Sequence, residues 1–255
     1  MAPDAPQVPL GSGKHPVTLV VIAANQLDAS VAFHSKVFGW QLHRAAPDLA
    51  GGMPSHGPAL ALRSGVPEGA AAAVPYVHVP DVKAAMKRIV ESGGSEDRAP
   101  WSIPLVGTLA RFADPGGTIW GVTSAVSPGG SAHVPMPFGA NPRPKPGSVC
   151  SLEMYAPDGE AAGRWFGEQF GWGSAPTMPQ FVGFDAGAGI GGVFQSHTPQ
   201  ARVMVYVYVT DVSGTLSAIE SHGGARVGEP MAVPGLATFG YFRDPSGTVM
   251  GLIGG

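Results

Sequence analysis

A single carboxylate, Glu153, interrupts an otherwise apolar run at residues 149–155, VCSLEMY. Residues two apart on a strand share a face, so Ser151, Glu153 and Tyr155 point the same way. The same alternation groups Met204, Tyr206 and Tyr208, and also Val74, Tyr76 and His78. A carboxylate among apolar neighbours loses hydration, which raises its pKa and suits it to act as a base near neutral pH. It could equally anchor a ligand amine or hydroxyl. On this reading Glu153 and His78 are candidate catalytic residues; Tyr155, Tyr208, Tyr206, Tyr76, Met204 and Ser151 are candidate ligand contacts. A bland alternative stands beside it: Glu153 faces solvent on an edge strand or pairs with an arginine, and His78 is a satisfied rim histidine.

These residues sit in a repeat. Residues 76–124 and 206–254 align without a gap at an offset of 130. Tyr76/Tyr206, Asp81/Asp211, Gly93-Gly94/Gly223-Gly224, Asp114-Pro115/Asp244-Pro245 and Gly121/Gly251 are shared. Upstream, Phe38-Gly39-Trp40 recurs as Phe170-Gly171-Trp172. One module is written twice, at 16–126 and 148–255, with a loose arm at 1–15 and a Pro/Gly-rich linker at 127–147. Tyr76 and Tyr206 recur in both copies, which favours packing for them. Tyr155 and Tyr208 have no counterpart, which favours ligand contact. Trp40 and Trp172 read as core.

Each module must place these residues on short elements. A β-branched run (17–22 or 149–155) predicts a strand, then a helix over 28–38 or 159–170 that stops at Gly39 or Gly171. Short strands follow at 42–45 and 59–62, or 181–184 and 192–195. A strand at 76–79 or 206–209 leads through Asp81 or Asp211, a plausible N-cap, into a second helix ending at Gly-Gly. Asp-Pro-x-Gly-Thr marks a closing hairpin.

Composition narrows the function classes. Charged residues are 13%, while 38 glycines and 26 prolines make up a quarter of the 255 residues. They punctuate apolar runs and so imply many short elements and tight turns. A net charge of −3 without a basic cluster argues against nucleic acid. No apolar stretch is long enough for a membrane span, and residues 1–16 do not read as a signal peptide. One cysteine, Cys150, supplies neither a disulfide framework nor a cysteine-based zinc site. A cytoplasmic setting fits.

The helix end F-x-x-x-F-G-W, the step Y-V-x-V-x-D, the Gly-Gly pair and F-x-D-P-x-G-T resemble the vicinal oxygen chelate superfamily of glyoxalase I, extradiol dioxygenases and bleomycin-resistance proteins. Tandem glyoxalase-like proteins are the most similar branch. The resemblance implies an α+β fold of two tandem βαβββ modules, with curled mixed sheets forming a cup around a small molecule. In chelating members a metal sits in that cup. Its ligand positions fall here on Leu19 and Ser151, on Val74 and Met204, and on Gly121 and Gly251, where the last-strand glutamate would be. None is a strong divalent-metal ligand. The expectation is therefore a metal-independent binding protein for a ring-bearing metabolite, without cofactor, as a monomer or homodimer. The alternatives are a lyase, isomerase or hydroxylase-like enzyme with Glu153 as base, and a metalloenzyme with relocated ligands.

Overall fold

The computed structural model describes residues 15–52, 54, 56–103, 107–125, 144–187, 189–197 and 202–254. The first module runs β1 (Val17–Ala23), α1 (Leu27–Phe38), β2 (His43–Ala46), β3 (Leu49–Gly52), β4 (Ala59–Arg63), then β5 (Ala73–His78), α2 (Val82–Glu91), β6 (Ser95–Ile103), β7 (Gly107–Ala113) and β8 (Ile119–Thr123). The second repeats the plan with β9 (Val149–Tyr155), α3 (Gly159–Phe170), β10 (Gly173–Met178), β11 (Phe181–Asp185), β12 (Gly192–Gln195), β13 (Val203–Tyr208), α4 (Val212–Ser221), β14 (Ala225–Arg226), β15 (Met231–Val233), β16 (Ala237–Arg243) and β17 (Val249–Gly254). The first module thus contains the βαβββ pattern twice, and so does the second once β14 and β15, which both pair with β16, are counted as one broken strand. Each builds its own curled sheet, in the orders β2-β3-β4-β1-β5-β8-β7-β6 and β10-β11-β12-β9-β13-β17-β16-β14, with β15 on β16.

Local chemistry explains the boundaries. Gly39 and Gly171 end α1 and α3 in the left-handed region (φ 72° and 71°), which only glycine enters at low cost. Asp81, Asp158 and Asp211 cap α2, α3 and α4, each carboxylate accepting a backbone N–H at 2.9–3.0 Å. Strands β3 and β10 escape the sequence pattern because LAGG and the exposed GSAPTM carry no β-branched run.

The two faces of each sheet differ. Val20, Ile22, Val77, Phe112, Trp120 and Val122 point toward the helices and join the main core. The opposite, concave face of the first sheet has its own cluster around Val74, Tyr76 and Leu109. Helices bridge the modules: α1 meets α4 and α2 meets α3. Phe33 packs on Phe242 at 6.1 Å, and Trp165 Nε1 donates to the Ser92 carbonyl at 2.9 Å.

The Asp-Pro-x-Gly-Thr turns fasten the modules reciprocally. Asp114 accepts the Thr118 N–H and Asp244 the Thr248 N–H, both at 2.9 Å. The threonine hydroxyls then cross over: Thr118 Oγ1 donates to the Tyr155 carbonyl (2.8 Å) and Thr248 Oγ1 to the Ala23 carbonyl (2.7 Å). The tryptophans cross as well, Trp40 Nε1 donating to the Gly147 carbonyl (2.7 Å) and Trp172 Nε1 to the His15 carbonyl (2.6 Å). His15, the last residue of the expected arm, is docked on the second module, while residues 1–14 lie outside the described residues. Residues 127–143 of the expected linker lie outside the described residues, and Gly147 at its end is held in place.

Thr118→Val and Thr248→Val should each lower the free energy of unfolding by about 1 kcal/mol, the usual net value of a lost hydrogen bond. Thr215→Val, which removes an exposed hydroxyl-to-carbonyl bond within one helix turn, should cost less, within about 0.5 kcal/mol. Urea denaturation of the three variants checks the contrast.

Candidate functional site

Three central strands set the geometry of each concave face. In the second module Tyr206 lies opposite Ser151 on β9 and Gly251 on β17. In the first, Tyr76 lies opposite Leu19 and Gly121. The middle position of each row is thus a tyrosine, where alignment by spacing points to Val74 and Met204. The register decides this, because residues paired across strands share a face.

The tyrosine ring of each row lies on the neighbouring glycine. A Cβ on Gly121 would fall 2.1 Å from the Tyr76 ring, and one on Gly251 would fall 2.3 Å from the Tyr206 ring. The phenol fills the volume that a last-strand side chain would need. Burial pushes the Tyr76 hydroxyl up to about 12, against the pull of Arg111, Arg63 and Arg98. Burial, then the Glu153 charge, holds Tyr206 well above the usual phenol range. Neither ring is poised to ionise and bind a cation. No group of three or more His, Cys, Asp or Glu side chains among the described residues could hold a metal. Leu19, Ser151, the two glycines and two neutral phenols do not fit a divalent ion.

In the second module the polar groups form a chain. Tyr206 Oη donates to Glu153 Oε2 at 2.9 Å and lies 3.3 Å from Tyr241 Oη. A hydroxyl has one proton, so with Glu153 ionised Tyr241 donates to Tyr206 and Tyr206 to the carboxylate. Met204 pairs with Glu153 across the strands. Phe239 meets the Tyr206 ring edge-on at 6.2 Å. Burial raises the Glu153 pKa, with the Tyr206 hydrogen bond and His197 pulling the other way. Its other oxygen, Oε1, has no protein partner among the described residues.

The remaining candidates separate. Ser151, Glu153, Met204 and Tyr206 come together. Tyr155 does not join them; its ring lies under the Arg202 guanidinium at 5.2 Å, at the module junction. Tyr208 is buried at the far end of β13, where its carbonyl accepts from Gly147. Tyr76 and His78 belong to the other sheet, so the eight candidate side chains divide between two concave faces. No hydrogen bond or ion pair joins His78 to Glu153. Its carbonyl instead accepts from His15 Nδ1 at 3.0 Å, and burial, followed by the His15 charge, lowers its pKa. His34 is also buried, stacked on Trp40 at 4.7 Å and neutral because burial lowers its pKa. Sequence reasoning missed Tyr241, although Phe239 and Tyr241 alternate along β16, opposite Ile253 and Gly251. It also missed Arg111, the counterpart of Tyr241 in the first module.

With this geometry in place, the comparisons are specific. Residues 19–123 match the family model described as a glyoxalase-like domain. That match covers the first module, which is glyoxalase-like. CFP32 of Mycobacterium tuberculosis (strain CDC 1551 / Oshkosh), a candidate glyoxylase by name, is 24% identical over 242 residues, which covers 88% of this chain and 89% of CFP32. The fold is similar to that of the Mn(II)-bound glyoxalase from Novosphingobium aromaticivorans, with a TM-score of 0.66 and 16% identity over 95% of this chain and 82% of the other. It is also similar to the 2,3-dioxygenase LapB from Pseudomonas sp. KL28, with a TM-score of 0.65 and 13% identity over 95% and 92% of the two chains. No described helix is long and apolar enough to cross a membrane.

Two measurements probe the site. Gly121→Ala and Gly251→Ala should each cost roughly 1–3 kcal/mol, because the added carbon meets a buried ring. Gly65→Ala, at φ 71° but with open space around it, should cost only about 1 kcal/mol. The second concerns pH. A buried acid whose folded pKa is raised binds its proton more tightly when folded, so stability falls as pH rises through the window above 4.5. Glu153→Gln removes that slope. The stability of the Gln variant minus that of wild type should climb over this window and then level off. A flat difference across urea titrations from pH 4 to 8 would contradict the raised pKa.

Proposed function

We propose that this chain is a small-molecule binding protein that works without a metal, taking a ring-bearing ligand on the concave face of its second module. The observation that carries the reading is the chain Tyr241–Tyr206–Glu153. It fixes one carboxylate oxygen and leaves the other for a ligand amine or hydroxyl. Phe239 beside it is partly exposed and offers an aromatic edge, backed by the buried Met204 across the strand pair from Glu153. The tyrosines resting on Gly121 and Gly251 support metal independence, since they fill the space a chelating side chain would need. The ligand chemistry is set by what a half-buried carboxylate recognises: a donor on an apolar ring. The protein would act as a monomer or homodimer.

A second reading is favoured by one specific feature, the raised pKa of Glu153, which moves a carboxylate toward the range useful to a general base. Catalysis would then consist of proton abstraction by Oε1, with Tyr206 holding the carboxylate in place.

One variant separates the two. Thermal-shift screening of aromatic amines, phenols and catechols should give a ligand-dependent rise in melting temperature. For the best binder, Glu153→Gln should weaken affinity by roughly tenfold or more, since a hydrogen bond to a charged group is lost. Retained affinity with lost turnover of that compound would instead support the enzyme. Silence across the whole panel would count against binding.

A further inference from the structure

The first module has a different site. A cavity of about 570 Å³ opens where its concave face meets the second module, lined by Arg111, Asp97, Ile119 and the loop Gly69–Ala72 on one side and by Arg202 and Val203 on the other. That volume suits a small organic ligand. We propose that this cavity is a second ligand site, which takes a small organic carboxylate between Arg111 of the first module and Arg202 of the second.

The guanidiniums are held in place with their donors unspent. Arg111 turns its Nε edge toward Asp97, at 2.8 Å from Oδ2, in an ion pair that lacks hydrogen-bond alignment. Its two Nη groups have no protein partner among the described residues. Arg202 is steadied by the Tyr155 ring and by a long bond from Nη1 to the Gly116 carbonyl at 3.4 Å. No carboxylate among the described residues pairs with it. Two planar forks facing one cavity match the geometry of a carboxylate, and both are pre-ordered, which lowers the entropy cost of binding. Asp97 offsets one of the two positive charges, leaving about one for a monoanion. Arg98, stacked on Trp101 at 3.9 Å, and Arg63 add positive potential nearby. The walls contributed by Ala70, Ala71, Ala72, Ile119 and Val203 are apolar, so the body of the ligand should be apolar as well.

The repeat sharpens the point. The second-module counterparts of Arg111 and Asp97 are Tyr241 and Val227, and the first-module counterparts of Arg202 and Glu153 are Ala72 and Val21. The charges are therefore not inherited features of the fold. One concave face has acquired a carboxylate and the other guanidiniums.

Isothermal titration of the full chain with benzoate, its neutral isostere benzamide, and inorganic phosphate tests the site. Benzoate should bind one to one, roughly tenfold or more tighter than benzamide, and more weakly as salt is raised. Arg202→Met, on an exposed loop, should weaken benzoate by a similar factor with an unchanged melting temperature. Arg111→Met should do the same, and Glu153→Gln should leave benzoate binding as it was. Four outcomes would overturn the proposal: equal affinity for benzoate and benzamide, no effect of Arg202→Met, phosphate binding as tightly as benzoate, or no benzoate binding at millimolar concentration.

Discussion

The Asp-Pro-x-Gly-Thr turn does two jobs with the same five residues. Its aspartate closes the last hairpin of its own module by accepting the threonine N–H, and its threonine hydroxyl reaches across to the carbonyl that ends the first strand of the other module. Because the chain carries the turn twice, the fastening is reciprocal, and the crossed tryptophan bonds to Gly147 and His15 repeat the logic at a second place. Gly147 shows how tight this is: at φ 82° its added Cβ would lie 2.5 Å from the Phe38 carbonyl oxygen. Everything on the concave faces depends on this joint. It fixes where Tyr155 and Arg202 of one module stand relative to Gly116 and Arg111 of the other.

The second constraint is steric and lies inside each module. A tyrosine on the middle strand rests its ring against a glycine on the next, so the two residues are one packing unit. Replacing the glycine alone would drive a side chain into a buried ring. This pairing gives a physical reason why a glyoxalase-like fold can keep its curled sheets without keeping donors on the central strands. The space is already filled, and the buried phenols resist ionisation. A carboxylate stands two residues along from Ser151, at Glu153, where Tyr206 satisfies one of its oxygens.

Much of the architecture was legible because it rests on local rules. The left-handed caps at Gly39 and Gly171, the N-caps at Asp81 and Asp211 and the β-branched first strands all lie where residue type and spacing place them. The doubled register then identified which positions were structural: Tyr76 and Tyr206 recur because both lie on glycines. The site was only half legible. Alternation correctly joined Ser151 and Glu153, and Met204 and Tyr206, since those pairs need only the period of a strand. It could not tell that the two sheets keep separate concave faces, so Tyr76 and His78 were grouped with residues of the other module. Nor could it find Tyr241, Arg111 or Arg202, whose partners are set by sheet register and by the module joint. Such long-range facts have no signature in the spacing of neighbouring residues.

A repeat whose joint and core are satisfied by shared residues is free to vary elsewhere. The turns, caps, tryptophans and Tyr–Gly units recur in both modules and account for packing. The concave faces carry no such duty, and they differ. Val21 against Glu153, Arg111 against Tyr241 and Asp97 against Val227 are changes of charge at matched positions. A partly buried charge is costly to leave unpaired. Glu153 is compensated by Tyr206 and Tyr241 and Arg111 by Asp97, both partly buried, while the exposed Arg202 rests on the Tyr155 ring. Compensation that leaves Oε1 of the glutamate and the Nη groups of the arginines without protein partners is incomplete in the same way on both faces. That shared incompleteness, at opposite charge, is the structural argument that the two modules present complementary surfaces to different small molecules.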